Sequence, residues 1–429
     1  MTGYPAGREA SRLLGIENLD IEKRNERSLV LEIVFFGVLS GIVGSFLSVF
    51  ALRLGASSQD IGLLSALPAL VTMVWMIPAS ALLERYRDIL RPALSFGFLQ
   101  RLQYVLFGLV VLLPAMLQVP ALLTIVALGA LFAATGSVAF TVMFGLVVPE
   151  SRRAHLVSRR NLLAGLTAAA AAIIGGKLLE QIPFPWNYSF LFLIGFAFSM
   201  VSLFFVSRIV APPVDHPAGS TRSPLQIRQA ISTVRHYPRF TRFTAATFVA
   251  NIGMYLPIPL YSIYWVKTLN MGEWWIGLIT TVGWVIPLFT YPLWARAAGR
   301  FGNRAMLTIG CIGLALFPLA TALAPSQEFL LIPAILGGIF NPPWSLGLFN
   351  GLFEVIPPTQ QPTFISFSTA VTSLAAFAAP MFSTIVLVPL ISLSPALLVG
   401  AAMRAIGGVV VYIMVQPDRQ ARAAHGMDV

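Results

Sequence analysis

The chain has 429 residues, enough for two or three soluble domains, yet 57% of them are hydrophobic and only 10% are charged, against roughly 45–50% and 25% in soluble proteins. With a mean hydropathy of +0.81, this excludes a disordered chain, a collagen-like repeat and a disulfide scaffold, and leaves a membrane protein. The net charge of +11 would suggest nucleic acid in a soluble protein, but in a membrane protein it reports which loops face the cytoplasm.

Residues 1–28 are polar and mixed in charge, without the short apolar core and small-residue cleavage site of a signal peptide, and are expected to be a solvated tail. Twelve apolar runs of spanning length follow. Six of them are Leu29–Leu52, Ile61–Leu83, Pro92–Leu117, Ala121–Val148, Asn161–Leu179 and Tyr188–Val210. After a polar stretch come Phe243–Val266, Trp274–Ala295, Ala305–Leu323, Phe329–Phe353, Phe364–Val388 and Pro395–Val415. Backbone groups in lipid must find partners within the segment, so each run is expected to be a helix. A β-barrel would show segments of about 10 alternating residues, and these are absent.

The fold expected is therefore an all-α integral membrane protein of twelve transmembrane helices. It divides into a tail (1–28), a six-helix bundle (29–210), a linker (211–242), a second bundle (243–415) and a tail (416–429). Most of the 28 Lys and Arg fall on one side of this alternation. They lie in the tails, the linker and the turns after helices 2, 4 and 8, while the other side holds only Arg53, Lys177 and Lys267. The positive-inside rule makes the basic side, with both termini, cytoplasmic, and the expected location is the inner (plasma) membrane. Cys311 is the single cysteine, so an intrachain disulfide is excluded.

The two halves echo each other. Gln59-Asp60-Ile61-Gly62-Leu63 opens helix 2 as Trp274-Trp275-Ile276-Gly277-Leu278 opens helix 8. Val148-Pro149-Glu150 ends helix 4 as Ile356-Pro357-Pro358 ends helix 10. A parallel repeat of six helices is one transporter architecture, with the solute bound between the halves.

With twelve spans and this repeat, the chain resembles the major facilitator superfamily over nearly its whole length. The family's loop pattern, G-x-L-a-D-R-x-G-R-K, is similar to Ala295-Arg296-Ala297-Ala298-Gly299-Arg300-Phe301-Gly302-Asn303-Arg304 after helix 8. After helix 2 the chain reads Leu83-Glu84-Arg85-Tyr86-Arg87, which keeps the acid and the arginine but not the glycines. The resemblance implies a cytoplasmic latch with Glu84, Arg85 and Arg300 as candidates, against the alternative that these residues only set topology. It also implies that helices 1, 4, 7 and 10 line a cavity. The matching mid-span residues are Ser40, Thr135 and Ser137, then Asn251, Tyr255 and Tyr261, then Asn341 and Trp344. Pro342 and Pro343 are expected to break or kink helix 10. Gly175-Gly176 on helix 5 is similar to the glycine pair of drug–proton antiporters, which points to efflux.

No Asp, Glu or His falls near a bilayer midplane in this segmentation, whereas proton coupling usually needs a titratable group there. Glu32 is the candidate for coupling. The competing reading, which its position favours, is a carboxylate at the positive end of helix 1 facing the interface. Arg101 and Arg404 lie inside spans. Arg101, flanked by Gln100, Gln103 and Tyr104, could contact an anionic solute or a lipid head group, or could snorkel. No Walker motif, metal-ligand spacing or G-x-S-x-G elbow occurs, so an enzyme and a cofactor are not expected. The expected function is secondary active or facilitative transport of a small, amphipathic or weakly polar solute. A proton or another ion and membrane lipid are the other partners, nucleic acid is not, and a monomer is expected. A non-transporting receptor or scaffold, or a lipid-processing enzyme on the same plan, is the alternative.

Overall fold

A computed structural model describes residues 6–212, 236–357 and 361–416, with their side chains except those of 6–20, 77, 154 and 361–363. The first six helices are α1 Ala6–Arg53, α2 Ser58–Leu83, α3 Leu90–Leu109, α4 Ala115–Val147, α5 Glu150–Gln181 and α6 Trp186–Ser207. Then come α7 Pro238–Thr268, interrupted at Leu256 and Pro257, and one run, Glu273–Ala322, that holds two helices. Gly302, at φ 77° and ψ 169°, divides that run into α8 (273–301) and α9 (303–322). The last three are α10 Leu331–Val355, α11 Phe364–Ile391 and α12 Leu393–Met414. Eleven helical runs are long and apolar enough to cross a membrane, and the divided run makes twelve crossings. Both described ends of the chain thus lie on one face of the bundle, called here the terminal face; the opposite one is the far face.

Four expectations are corrected. The first helix is longer than the expected span from Leu29: α1 begins at Ala6 and runs unbroken to Arg53. Leu, Glu, Lys and Arg dominate this stretch and no proline interrupts it, so helix propensity carries through the polar segment. Its end is also pinned, because Asn25 Nδ2 donates to the Val210 carbonyl and accepts from the Val210 N–H, both at 2.9 Å. The break between α3 and α4 falls at Leu113-Pro114 rather than at residues 118–120. The residue before a proline is pushed out of helical geometry, and Leu113 has ψ 154°. The turn between α8 and α9 is helical up to a single residue, Gly302, whose positive φ a side chain would strain.

The fourth correction concerns α10, which passes through Pro342 and Pro343 as one helix. Pro342 has no N–H for the Gly338 carbonyl. Thr290 Oγ1 of α8 lies 3.2 Å from that carbonyl and from its own Ile286 carbonyl, so the orphaned acceptor has a donor from outside the helix.

Small residues set the helix packing. An atom added at Cβ of Gly37 or Gly41 of α1 would fall within 3 Å of the Ala164 or Ala168 carbonyl of α5, so these helices meet backbone to backbone. α3 packs on α4 and α6, and α2 on α4. Among the last six, α10 packs on the α8–α9 run, and α12 packs on α7 and on that run. The first six helices meet the last six mainly through α5 against α8 and α2 against α11.

Candidate functional site

The pairing of α5 with α8 is closest toward the far face. A Cβ on Gly176 would lie 2.6 Å from the Glu273 carbonyl, and one on Gly277 would lie 2.4 Å from the Ala172 carbonyl. Side chains lock this contact. Glu273 accepts from Arg53 Nε of α1 and from the Tyr188 hydroxyl of α6, both at 3.0 Å. Arg53 Nη2 donates to the Met271 carbonyl at 2.9 Å, and Glu180 of α5 accepts the Trp274 N–H at 3.1 Å. Lys267 Nζ reaches the Ala56 carbonyl at 3.3 Å. Each of these bonds runs between the first six helices and the last six. None of these residues was a candidate from sequence. The signal that could have found them was the scarcity of charge on that side: of its few basic groups, Arg53 meets the acid Glu273 across the repeat and Lys267 meets the Ala56 carbonyl.

From mid-span to the terminal face several small or polar residues of α1, α4, α5 and α10 are exposed or half-buried. α4 lays Gly129 and Gly136 on α3 and Thr135 on Trp75 of α2. The stripe Ser137, Thr141 and Gly145 turns away from α3 and is exposed, with nothing within 4 Å of a Cβ at Gly145. On α1, Ser40 is half-buried, and Gly44 is exposed and equally free of neighbours. On α5, Asn161 lies between the residues that face α1 and those that face α8, and is exposed. On α10, Gly338 rests on α8 and Gly351 on Phe243 of α7; Asn341 lies on the arc between them and is exposed. Tyr255 of α7 is half-buried.

These residues are uncharged. Their hydroxyls donate to their own helix backbone: Ser40 to the Phe36 carbonyl (3.1 Å), Ser137 to Ala134 (2.9 Å) and Thr141 to Ser137 (2.8 Å). That leaves their lone pairs as acceptors.

The other candidates from sequence lie in packed interior. Thr135 is fully buried and accepts the Trp75 indole N–H at 3.0 Å. Asn251 is buried and donates to the Thr247 carbonyl at 2.8 Å. Tyr261 packs edge-on to Phe317 of α9, its hydroxyl buried without a hydrogen-bond partner. Trp344 is buried against the Gly310 backbone of α9. Glu84 is half-buried and Arg85 exposed on the terminal face; Arg300 is exposed, its guanidinium over the neighbouring Phe301 ring. No ion pair between these three is described.

The interfacial reading of Glu32 is corrected. α1 extends more than six turns before it, so no positive helix end lies nearby. Glu32 is buried between α1, α5 and α6. It pairs with Arg160 Nη2 at 2.8 Å and accepts from Ser202 Oγ at 3.4 Å. Arg160 also donates to the Leu29 carbonyl and lies over the Phe140 ring.

Arg101 neither snorkels nor meets lipid. It is buried, with Nε on the Ser199 carbonyl and Nη1 on the Gly97 carbonyl at 2.9 Å, and Nη2 on Ser202 Oγ at 3.2 Å. Arg404 is buried likewise and donates to the carbonyls of Gly253 (3.1 Å), Met254 (3.0 Å) and Leu314 (2.8 Å). Gly253 and Leu314 stand four residues before Pro257 and Pro318, so Arg404 supplies the N–H donors that two prolines withhold.

The sequence profile described as Major Facilitator Superfamily matches residues 29–273 and 243–427. No curated protein matches the chain. Among solved structures, a mutant of the nucleoside transporter NupG is similar at 10% identity with a TM-score of 0.74, covering 91% of this chain and 100% of that one. A D-xylose–proton symporter is similar at 16% identity and a TM-score of 0.69, covering 92% and 98%. A bacterial homologue of the human lysosomal transporter Spinster, in an inward-facing and unoccupied conformation, is similar at 13% identity and a TM-score of 0.65, covering 95% and 96%.

Proposed function

The chain belongs to the Major Facilitator Superfamily, and from that premise we propose that it carries a small, weakly polar or amphipathic solute by alternating access. It is a multi-pass membrane transporter and not an enzyme. In the proposal, residues 29–210 and 243–415 are the two bundles that rock about the solute, and 211–242 joins them. The terminal face is cytoplasmic in the plasma membrane, because the arginines gather there. The transport is secondary active or facilitative, and export is the direction that Gly175-Gly176 supports.

One observation carries this reading. Glu273 ties α8 to Arg53 and Tyr188 at the far face, while uncharged residues on α1, α4, α5 and α10 stand exposed toward the terminal face, and in the proposal they line the solute path. A cleft closed at one end and open at the other is one half of a transport cycle. An uncharged wall with acceptor hydroxyls suits a neutral solute that donates hydrogen bonds, since a bound ion would lack a counter-charge.

Purified protein in proteoliposomes, given a panel of labelled neutral polyols, nucleosides and amphipathic amides, tests the reading. Saturable flux of one class is expected, with Asn341→Ala and Ser137→Ala raising its KM several-fold. Solutes that raise the melting temperature of the protein but never cross the vesicle would mark a receptor or scaffold instead.

A further inference from the structure

At the terminal-face end of α12, Tyr412 is 58% exposed, and Ile413 beside it is 73% exposed. The guanidinium carbon of Arg304, at the start of α9, lies 4.1 Å from the Tyr412 ring centroid. Arg304 Nε is buried without a hydrogen-bond partner, and among the described residues no carboxylate pairs with its guanidinium. Among the described residues its charge is therefore held in place by an aromatic face and meets no carboxylate. Toward the membrane interior, α9 and α12 converge until a Cβ on Gly408 would lie 2.6 Å from Ile312. Between that point and Arg304 the helices expose Ile309 on one side and Val409 on the other. An arginine–ring contact also stands at the end of α6, the counterpart of α12 in the repeat, where Arg208 lies 4.7 Å over the exposed ring of Phe204 on the same helix.

We propose that the groove between α9 and α12 holds an anionic phospholipid of the terminal-face leaflet. Its phosphate pairs with the Arg304 guanidinium, and its acyl chains run along Ile309 and Val409. Two features select this occupant. Arginine binds a phosphate through paired N–H donors, and the Tyr412 ring holds it at the depth where an interfacial aromatic meets the head groups. A solute or a second protein would leave the exposed apolar residues below the arginine unexplained; a lipid fills both parts at once. The site lies on the outer wall and does not depend on the transport reading.

The test is native mass spectrometry of the detergent-purified full chain, exposed to equal amounts of phosphatidylglycerol and phosphatidylcholine. Wild type is expected to retain phosphatidylglycerol preferentially. Arg304→Gln should lower that retention about fivefold, the weight of one basic residue at an anionic surface. Arg87→Gln, which removes an exposed terminal-face charge away from the groove, should leave it unchanged. Should Arg304→Gln fail to fold, Tyr412→Leu decides: it keeps the apolar wall but removes the ring, and retention should fall. Equal retention of the two lipids by wild type overturns the proposal. So does equal loss in Arg304→Gln and Arg87→Gln, which would mean general surface attraction, and so does undiminished retention in the groove variants.

Discussion

Arg404 shows how a charge inside a membrane helix can serve structure alone. Three carbonyls receive its guanidinium, and two of these were orphaned by Pro257 and Pro318. Arg404→Met keeps the volume but leaves those acceptors buried and unpaired, at about 1–3 kcal/mol each. A clear fall in melting temperature in detergent is therefore expected. The mechanism makes a sharper prediction than the loss itself. Pro318→Ala restores an N–H for the Leu314 carbonyl, so in the Arg404→Met background it should recover part of the lost stability. In the wild-type background it should add little. If Pro318→Ala acts identically in both backgrounds, Arg404 is not substituting for the missing donor.

The same logic operates between helices. α10 runs unbroken through two prolines, and Thr290 of α8 covers the Gly338 carbonyl. Thr290→Val is nearly isosteric and removes that donor, so a loss on the order of 1 kcal/mol is expected, with faster hydrogen exchange in α10 near Gly338. Unchanged exchange there would show that the threonine is incidental. This case marks what the sequence could convey. Span positions and the asymmetry of basic residues were legible because lipid imposes a long apolar run and the membrane sorts arginines, and both effects are local. The Pro342-Pro343 pair was read as a break because the donor that rescues it lies 48 residues earlier in the chain. Glu32 was read as interfacial for a similar reason. Its partner Arg160 lies on α5, and the polar residues before Leu29 gave no sign that α1 would run through them. The proposed wall draws on the sequence only in part. Ser40, Ser137 and Asn341 carry a hydrogen-bonding group at mid-span. Thr141 and Asn161 lie nearer the terminal face, beyond the mid-span window in which candidates were sought, and only the packing of α4 and α5 brings them to light.

At the scale of the whole molecule the far-face closure is the element that must open if the carrier is to alternate. Glu273 is its centre. It joins α8 to Arg53 of α1 and Tyr188 of α6, and its carbonyl lies against Gly176 of α5. Glu273→Gln keeps the shape but removes the charge, weakening two charge-assisted bonds. A loss of about 1.4 kcal/mol from the closed state alone shifts the balance between closed and open roughly tenfold. The substitution leaves the proposed wall untouched, so it acts on the population of states rather than on solute contacts. Spin labels at Gln59 on α2 and Glu328 in the α9–α10 turn, both exposed at the far face, would report the gap. Wild type is expected to show mainly a short distance, and Glu273→Gln a second, longer one. Gly176→Leu, which pries the same two helices apart by bulk instead of charge, should move the distribution in the same direction. If both variants fold and leave the distance unchanged, the contacts around Glu273 do not hold the closed state. The closure would then rest on the packing of α2 against α11, where a Cβ on Gly62 would lie 1.9 Å from Thr384 Oγ1.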